Sequence, residues 1–515
     1  MEQVFENLKE IEKQCGIFLS ADDKIAESIM IENAAGALLK EVKNACSKKK
    51  SAVTVLCGSG NNGADGYTLC RQLAGICRVN VIKIKEPVSY HCCLAYENLK
   101  KVFENTKCDI NFYELALMQG QTSVEKIIKH SDVIVDCIFG TGFHGTVDAS
   151  VQNLFAAVNK SDAVRIACDI PSGIDSNGEN ISSLSFDEKK KFVFSADVTV
   201  SMGAHKINLF SDSAKDSIGK IRTASIGVSK QLFHETSLNV VKDHKIFLLN
   251  KEDLMLPVRN EQNSHKGKFG HICVIAGTKA GAGIIAASSG FKTGAGLSTL
   301  VVNPSLDFEN FKIPVSIMVS EQIPETASSF VLGPGFGREQ NIDKWLNELK
   351  TISAEKKISV VFDADCFYYS QTVDFLEENS KCENPVNVVI TPHPKEFSML
   401  LKLSGIGEYS VKEVCDRRLE LCRIFSERFK NTVLVLKGSN TFIASSGTVY
   451  ISTCGTAALS KGGSGDVLAG VIGALLAQKY KSVDAAISGV LMHSIASKKI
   501  EKNYSLTPEL LIEML

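Results

Sequence analysis

The segment from Cys454 to Ala477 carries residues whose types and spacing could transfer a phosphoryl group. Its centre is Gly462-Gly463-Ser464-Gly465-Asp466, and an apolar stretch with helical character follows directly. Unpaired N–H groups and the dipole at a helix N-terminus attract phosphate, and glycines let the backbone close on that ligand. Asp466 could then take a proton from a hydroxyl that attacks the phosphorus. The structural alternative, a tight glycine loop with Asp466 as the helix cap, stays open for this segment alone.

The composition narrows the class of protein. A chain of 515 residues is too long for one ordinary domain, so two or three are expected. Because 57 Lys and Arg stand against 58 Asp and Glu, the formal net charge is -1, which favours small-molecule partners over nucleic acid or a membrane surface. The 16 cysteines lack metal-site spacing and predict thiols of a reducing compartment. Without a signal-peptide core or a run of about 18 apolar residues, we expect a cytoplasmic protein.

The N-terminal half repeats a strand, a polar or glycine-rich loop and a helix. The apolar strand Ala52 to Cys57 precedes the loop Gly58 to Gly66, and a helix is predicted from Tyr67. This order is typical of nucleotide-binding βα turns. Two further strands, 133–135 and 164–168, also end at polar residues. Because ligands bind beyond the carboxyl ends of parallel strands, we expect four polar side chains to converge on one site: Asn62, Asp136, Asp169 and Ser172.

These motifs resemble the YjeF N-terminal domain, the epimerase of hydrated NAD(P)H. The resemblance rests on GSGNNGADGY, DCIFGTG, CDIPSGIDSNG, the strand Ser195 to Thr199 and His205-Lys206. It implies a Rossmann-like three-layer αβα domain over residues 1–235, in which Asp169 is catalytic and K⁺ is held by Asn62, Asp136 and Ser172. The hydrate would be bound by two segments, which comprise Asn61, Asn62, Gly63, Ala64 and Asp65, and Gly140, Thr141, Gly142, Phe143, His144, Gly145 and Thr146. Ala64 stands where the family usually has glycine, and its methyl group should be tolerated unless the backbone needs a positive φ.

The residue types suit epimerisation. Carbon 6 of the hydrate carries a hydroxyl next to the ring nitrogen, whose lone pair can expel it and leave a planar cation. Water can attack that cation from either face, and a carboxylate such as Asp169 can move the proton in both directions. Carboxylate, amide and hydroxyl oxygens are also suitable ligands for a cation held between them.

A charged stretch without glycine-rich loops, which includes Lys242 to Lys251, predicts a domain boundary near residue 240. Beyond it, predicted strands again end in polar or glycine-rich loops. These loops are 277–283, 333–337, 363–365, 391–396 and 437–441. Together with the glycine segment at Asp466, they predict a doubly wound sheet with a nucleotide at one edge.

The C-terminal motifs GPGFG, DADC, TPHPKEF, LKGSNT and KGGSGD, in this order, resemble the ribokinase-like ADP- or ATP-dependent NAD(P)H-hydrate dehydratase. The resemblance spans residues 245–515. It implies that Asp466 is the catalytic base, that Gly335 and His393 contact the hydrate, and that Mg²⁺ bridges the phosphates of ADP, the expected cosubstrate. The nucleotide would be bound by Lys437, Gly438, Ser439, Asn440, Thr441, Gly463, Ser464 and Gly465.

Two segments depart from the pattern of that family. Gly455-Thr456-Ala457 replaces Gly-Asn-Pro, and the segment HSIASK at 493–498 replaces His-Gly-x-Ala-Gly-Asp. The second change removes an aspartate to which the resemblance would assign metal or phosphate binding. The anion-binding glycines are retained.

Together, the two resemblances imply a bifunctional α/β enzyme with two domains. The N-terminal half would interconvert the R and S forms of hydrated NADH and NADPH, and the C-terminal half would dehydrate the S form while ADP is converted to AMP and phosphate. Because members of the family associate, a homo-oligomer is expected. The alternative is a ribokinase-like kinase for a vitamin precursor with a non-catalytic N-terminal binding module, since one fold hosts both activities.

Overall fold

The computed structural model describes residues 1–46, 51–118, 121–175, 178, 181–241, 245–302 and 312–515, with the side chains of residues 121–123 excepted. Two residues of the CDIPSGIDSNG motif, Ser176 and Asn177, and the start of the charged stretch, 242–244, lie outside the described residues. The chain forms two compact units, one of Gln3–His244 and one of Met1–Glu2 with Lys245–Leu515. None of the helices in the described ranges is both long enough and apolar enough to span a membrane.

The elements before residue 242 alternate between strands and helices. The strands are β1 (Glu2–Phe5), β2 (Ala52–Cys57), β3 (Arg78–Lys83), β4 (Ile110–Glu114), β5 (Val133–Cys137), β6 (Val164–Cys168), β7 (Val198–Met202), β8 (His205–Lys206) and β9 (Lys220–Ala224). The helices are α1 (Lys9–Gly16), α2 (Asp23–Ala45), α3 (Asn61–Leu73), α4 (Tyr90–Asn105), α5 (Gln121–Lys129), α6 (Ala149–Val158), α7 (Phe186–Phe192), α8 (Lys215–Ile218) and α9 (Lys230–Val240).

A seven-stranded parallel sheet forms the centre of this first unit, in the order β4-β3-β2-β5-β6-β7-β9. Val53 and Val55 of β2 belong to one buried apolar cluster, whereas Leu56, which points to the opposite face of the strand, belongs to another. Both faces of the sheet are therefore covered, which confirms the predicted three-layer unit. The chain winds to opposite sides from β2 and from β5, so a topological switch point lies between the carboxyl ends of these strands.

Helix α3 begins earlier than the sequence predicts, because the predicted loop 58–66 already turns helical at Asn61. Its glycines allow a very close approach to the sheet. A Cβ on Gly63 would lie 2.1 Å from the Gly58 carbonyl oxygen, and one on Gly66 would lie 2.8 Å from the Cys137 Cβ. Packing thus outweighs the low helix propensity of glycine. Ala64 is buried inside this helix and is not among the residues with positive φ, so its methyl group is tolerated.

The second unit contains the remaining elements. Its strands are β10 (Ile246–Leu248), β11 (His271–Ile275), β12 (Leu297–Val301), β13 (Met318–Ser320), β14 (Ser329–Leu332), β15 (Ser359–Phe362), β16 (Asn387–Ile390), β17 (Thr432–Leu436), β18 (Thr441–Ser445) and β19 (Thr448–Ser452). Its helices are α10 (Ala280–Lys292), α11 (Ile342–Glu355), α12 (Ser370–Lys381), α13 (Pro394–Leu403), α14 (Val411–Asp416), α15 (Arg418–Arg428), α16 (Ser464–Ala477), α17 (Ser482–Ser497) and α18 (Pro508–Met514).

Within this unit the strands follow the order β13-β12-β11-β14-β15-β16-β17-β18-β19-β10. The pairs from β13 to β17 are parallel, and β18 is antiparallel to both of its neighbours. The order reverses beside β11, which confirms the predicted doubly wound sheet. Helix α16 is buried along most of its length, with Val467, Val471 and Leu475 in the core of the unit. Its N-terminus is therefore held firmly at the edge where the parallel strands end.

Candidate active sites

The N-terminus of α16 has the geometry of an anion-binding site. Gly463 precedes the helix with φ of 88°, and a Cβ on it would lie 2.5 Å from Pro508 Cγ. Only glycine fits this conformation and this contact. In the described part of the chain, the N–H groups of Gly463 and Gly465 have no acceptor, whereas that of Ser464 donates to the Lys461 carbonyl oxygen at 3.3 Å. Two N–H groups are thus available to an anion.

Asp466 lies in the first turn of α16, after the capping position. The capping alternative for Asp466 is therefore wrong, because Gly463 occupies that position and no side chain caps the helix. Burial, and next the Asp363 carboxylate, raises the pKa of Asp466 to about 6, while Lys437 opposes the shift. A carboxylate with this pKa can accept a proton near neutral pH.

Charged residues from three strand ends converge beside Asp466. Lys437 follows β17, and its Nζ lies 2.9 Å from Oδ1 of Asp363, which follows β15. The same Nζ lies 3.9 Å from Oε2 of Glu396, in the loop and helix that follow β16. Burial disfavours the charge of Lys437, but Asp363 and Glu396 outweigh it and raise its pKa. A Cβ on Gly465 would lie 3.3 Å from Lys437 Nζ, so this ammonium adjoins the anion-binding turn.

His393 caps α13 and forms a reciprocal pair with Glu396. The His393 N–H donates to Glu396 Oε2 at 2.8 Å, and the Glu396 N–H donates to His393 Nδ1 at 3.2 Å. His393 Nε2 lies 3.1 Å from Glu396 Oε1, and the imidazole remains 46% exposed. This residue is therefore fixed at the mouth of the site and still accessible to a substrate. Burial would raise the pKa of Glu396, but the hydrogen bonds from His393 and the charge of Lys437 lower it.

The other predicted nucleotide and hydrate residues flank this centre. The turn between β17 and β18 carries Gly438 and Ser439 at the surface, with Asn440 buried and Thr441 opening β18. The Ser464 hydroxyl lies 3.2 Å from His493 Nε2, so this side chain contacts the protein and not the predicted nucleotide. Gly335 has φ of 62°, and a Cβ there would lie 2.3 Å from the Lys279 carbonyl oxygen. The glycine at this position is needed for the turn itself.

A second charged cluster lies in the first unit, where β6 ends. Asp169 has φ of 68°, which is unusual for a residue other than glycine. Its Oδ1 accepts hydrogen bonds from the Met202 N–H at 3.0 Å and from Lys206 Nζ. Lys206 also donates to the Met202 carbonyl oxygen at 3.0 Å. The Asp169 carboxylate is therefore held in one orientation by a buried ammonium and by a backbone group.

Two more carboxylates adjoin that ion pair. Burial, and then the charge of Asp169, raises the pKa of Asp65 well above its ordinary value. Burial also raises the pKa of Glu12 of α1, and Lys206 opposes this shift. Glu12 Oε1 would lie 3.7 Å from a Cβ on Gly203, the residue after Met202. Because one ammonium faces three carboxylates, the cluster retains protons at a pH where isolated carboxylates are ionised.

The residues predicted to hold K⁺ lie together between β2, β5 and β6. Asp136 accepts hydrogen bonds from the Ser172 N–H and hydroxyl, both at 2.7 Å, and from the Ile138 N–H at 3.1 Å. Asn62 Nδ2 donates to the Phe139 carbonyl oxygen at 2.9 Å. Burial raises the pKa of Asp136 to about 6. In the described ranges, no cationic side chain pairs with this fully buried carboxylate, which fits a site for a bound cation.

The predicted hydrate-binding segment 140–146 starts beside this cation site. A Cβ on Gly140 would lie 3.8 Å from the Asn62 Cβ, and the ring of Phe143 stacks on that of Phe139 with centroids 4.6 Å apart. The end of the segment is exposed and comprises His144, Gly145 and Thr146. Asn61, at the start of α3, is exposed as well. The structure therefore brings Gly140 and Asn62 together and leaves the end of the segment at the surface.

Two comparisons with known proteins decide the family. The family model described as YjeF-related protein N-terminus matches residues 27–208, and the one described as NAD(P)H-hydrate dehydratase matches residues 272–515. The bifunctional NAD(P)H-hydrate repair enzyme Nnr of Helicobacter pylori is 38% identical over 516 residues, which covers 100% of this chain and 99% of that protein. The chain belongs to the bifunctional NAD(P)H-hydrate repair enzyme family.

One more relative and one solved structure are also similar to the chain. The Nnr enzyme of Coxiella burnetii is 29% identical over 473 residues, covering 87% of this chain and 85% of its own. A solved ADP/ATP-dependent NAD(P)H-hydrate dehydratase from Bacillus subtilis, co-crystallised with ATP and Mg²⁺, is 23% identical, with a TM-score of 0.44. It covers 52% of this chain and 95% of that one.

The two segments that depart from the dehydratase pattern contact each other. Thr456 Oγ1 lies 2.9 Å from Ser497 Oγ, and Lys498, at the position of the expected aspartate, is exposed. His493 is buried, and burial lowers its pKa to about 4. Its Nε2 lies 2.9 Å from the Ser464 carbonyl oxygen. The substituted segment therefore supports the start of α16 with a neutral imidazole.

Sequence interpretation assigned no role to four charged residues at these sites of the repair enzyme: Glu12, Lys206, Asp363 and Glu396. Lys206 and Asp363 did carry a signal, because each stands in a quoted motif near a strand end. Glu396 stands in TPHPKEF, where the predicted role belongs to the histidine. Glu12 had no signal, because it lies far from the other residues of its cluster along the chain and comes together with them only through folding.

Proposed function

We propose that this chain repairs hydrated NADH and NADPH, with the epimerase in residues 1–235 and the dehydratase in residues 245–515. Membership in the repair enzyme family and the positions of the two family matches support this division. The observation that carries the proposal is the placement of Asp466 in the first turn of α16, next to free N–H groups and the ammonium of Lys437.

For dehydration, Asp466 takes the proton from the C6 hydroxyl of the S hydrate, and that oxygen attacks the terminal phosphorus of ADP. The bond to the leaving AMP breaks, and the N–H groups of Gly463 and Gly465 stabilise the charge on the transferred phosphoryl group. The ring nitrogen then expels phosphate from C6, and loss of the C5 proton restores the dihydropyridine. Lys437 pairs with Asp363, helps to lower the pKa of Glu396, and lowers the cost of bringing an anion beside these carboxylates.

Mg²⁺ would enter this site with the phosphates of the nucleotide. Among the described residues, no group of three or more metal-ligating side chains is found, so phosphate oxygens and water would supply most of the ligands. A Cβ on Gly465 would lie 3.9 Å from Asp363 Oδ2, so Asp363 is the first candidate for a protein ligand. The ion would neutralise charge on the phosphates during transfer.

For epimerisation, the Asp169 cluster moves a proton to and from the C6 oxygen. Protonation lets the hydroxyl leave as water, and the resulting planar cation accepts water on either face. Lys206 holds the base in place, and Asp65 is the protonated partner. Asn62, Asp136 and Ser172 would hold K⁺, whose charge would compensate the buried Asp136 carboxylate and order the segment that starts at Gly140.

Two isosteric variants test this assignment with one substrate preparation, a mixture of both epimers of hydrated NADH with Mg²⁺ and K⁺. Wild-type protein with ADP should convert both epimers to NADH. Asp466→Asn should abolish NADH formation and retain epimer interconversion, whereas Asp169→Asn should leave the S epimer convertible and the R epimer nearly unreacted. ATP in place of ADP measures the nucleotide preference, and sedimentation velocity tests the proposed homo-oligomer.

The outcomes separate the proposal from the kinase alternative. A stable phosphorylated product without NADH would support a small-molecule kinase. If Asp169→Asn interconverts the epimers at the wild-type rate, the first unit is a binding module. If Asp466→Asn still forms NADH, the base has been misassigned.

A further inference from the structure

Arg418 is a buried cation that the proposed mechanism does not use. It is the first residue of α15, and only 3% of it is exposed. One guanidinium nitrogen, Nη2, donates to the carbonyl oxygens of Leu436 and Lys437, at 2.8 and 3.2 Å. The guanidinium carbon also lies 4.8 Å from the centre of the Phe442 ring. Arg418 therefore contacts the last residue of β17, the residue after it, and the second residue of β18.

These contacts enclose the turn that we assign to nucleotide binding. The turn joins β17 to β18, and Arg418 touches the chain on both sides of it. The backbone of Lys437 is fixed from the other direction as well, because its N–H donates to the Pro392 carbonyl oxygen at 2.9 Å. The N–H and the carbonyl of Lys437 are both satisfied, and the side chain leaves this anchored backbone to reach Asp363.

A planar guanidinium suits this task better than an ammonium. It presents several donors in a fixed plane and can stack on an aromatic ring at the same time, whereas lysine offers a point charge on a flexible stem. Burying a charged group is costly unless it makes such contacts. The hydrogen bonds and the ring contact at the base of the nucleotide turn offset part of the cost of burying Arg418.

We propose that Arg418 is a positioning residue that holds the 437–441 turn in its nucleotide-binding conformation. The proposal rests on the assignment of this turn to nucleotide binding. It places the effect of Arg418 on the affinity for ADP, and through Lys437 on phosphoryl transfer, but not on the epimerase. Arg418 itself touches neither the substrate nor the reacting atoms.

The test uses the full chain and three variants. Arg418→Met removes the donors, Arg418→Lys keeps the charge, and Arg417→Lys is the matched control, since Arg417 is an exposed neighbour paired with Glu420. Dehydration kinetics give KM for ADP and for the S hydrate, calorimetry gives the Kd of ADP, and the unfolding temperature reports whether the second unit, which contains Arg418, is folded. Arg418→Met should raise KM and Kd for ADP by about tenfold, the size expected for lost hydrogen bonds to a charged group. The KM and Kd for ADP of Arg418→Lys should lie between those of Arg418→Met and those of the wild type.

Several results would overturn the positioning role. One is an unchanged KM and Kd for ADP in Arg418→Met with a lower unfolding temperature, which would make Arg418 a purely structural residue. Another is an equal increase in KM for both substrates. If Arg418→Met does not fold, Arg418→Lys decides, and wild-type ADP affinity in that variant refutes the proposal. A wild-type chain that binds no ADP would refute the assignment of the turn and the role of Arg418 together.

Discussion

Replacing Asp363 by asparagine should move the acidic limb of the dehydration pH profile to lower pH. Asp363 is buried and is the charge that raises the pKa of Asp466 most, after burial itself. It also binds the ammonium of Lys437 at 2.9 Å. Asparagine removes the repulsion and releases Lys437 to attract Asp466. Both changes favour the ionised form of Asp466, so they act in the same direction.

The size of the effect follows from the pKa of Asp466. The difference between about 6 and the ordinary value of 3.8 corresponds to about 3 kcal/mol against the ionised base. With a pKa of about 6, the ionised fraction at pH 5 is about one tenth of that at pH 7. Wild-type dehydration should therefore slow about tenfold between pH 7 and pH 5. Asp363→Asn should lose less than this over the same interval, although burial still keeps the pKa of Asp466 above its ordinary value.

The assay is the initial rate of NADH formation from the S hydrate at saturating ADP and Mg²⁺, measured from pH 5 to pH 9. Asp374→Asn is the control, because it removes one exposed negative charge from the same unit. The ratio of the rates at pH 5 and pH 7 is compared, so a uniform loss of activity in the variant does not matter. An acidic limb that stays in place or moves to higher pH in Asp363→Asn would refute the electrostatic coupling to Asp466.

Three further predictions concern the glycine turn, the cation site and the N-terminal helix. Gly463→Ala should lower the free energy of unfolding by about 2 kcal/mol or more, because of the positive φ and the close contact at this position. It should abolish dehydration but not epimerisation. Gly462→Ala, with no neighbour within 4 Å, should change neither activity. K⁺ in place of Na⁺ should raise the unfolding temperature more at pH 8 than at pH 5. Asp136, with its raised pKa of about 6, destabilises the fold as pH rises through that value, and a bound cation offsets this loss. Equal shifts of the unfolding temperature at both pH values would contradict the cation site. Glu12→Gln should slow epimerisation about tenfold and change its pH profile, while Glu10→Gln on the exposed face of α1 should match wild type in both respects.

The sequence predicts the elements well where strands are short and mainly apolar. Both bounds of β2 and of β6 agree with the prediction, because each is a short run in which a single residue, Thr54 or Arg165, is polar, in a sheet that is buried on both faces. The predicted strand Ser195 to Thr199 is displaced, since β7 runs from Val198 to Met202. A mixed run of small and polar residues gives no clear start, and the pairing with β6 and β9 sets the bounds instead.

The candidate sites were predictable in position but not in detail. Because parallel strands end at one edge, the grouping of Asp136 with Ser172 could be predicted from the sequence. The left-handed backbone of Asp169 could not be predicted, since it depends on hydrogen bonds with Met202 and Lys206. The ion pair of Lys437 could not be predicted either, because its partner Asp363 is 74 residues away in the chain. Sequence spacing indicates which strand end a side chain occupies, whereas its charge partners depend on rotamers in the folded core.

The contact between Thr456 and Ser497 joins two positions that are 41 residues apart in the chain and that both depart from the dehydratase pattern. Introducing the residue that the dehydratase pattern usually has at one position alone would set it against a hydroxyl that pairs with a different side chain in this protein. We therefore expect the two positions to behave as an epistatic pair, in which the fitness of either residue depends on the other. A chimaera that takes one of these segments from a relative and the other from this chain would place two unmatched segments beside the start of α16.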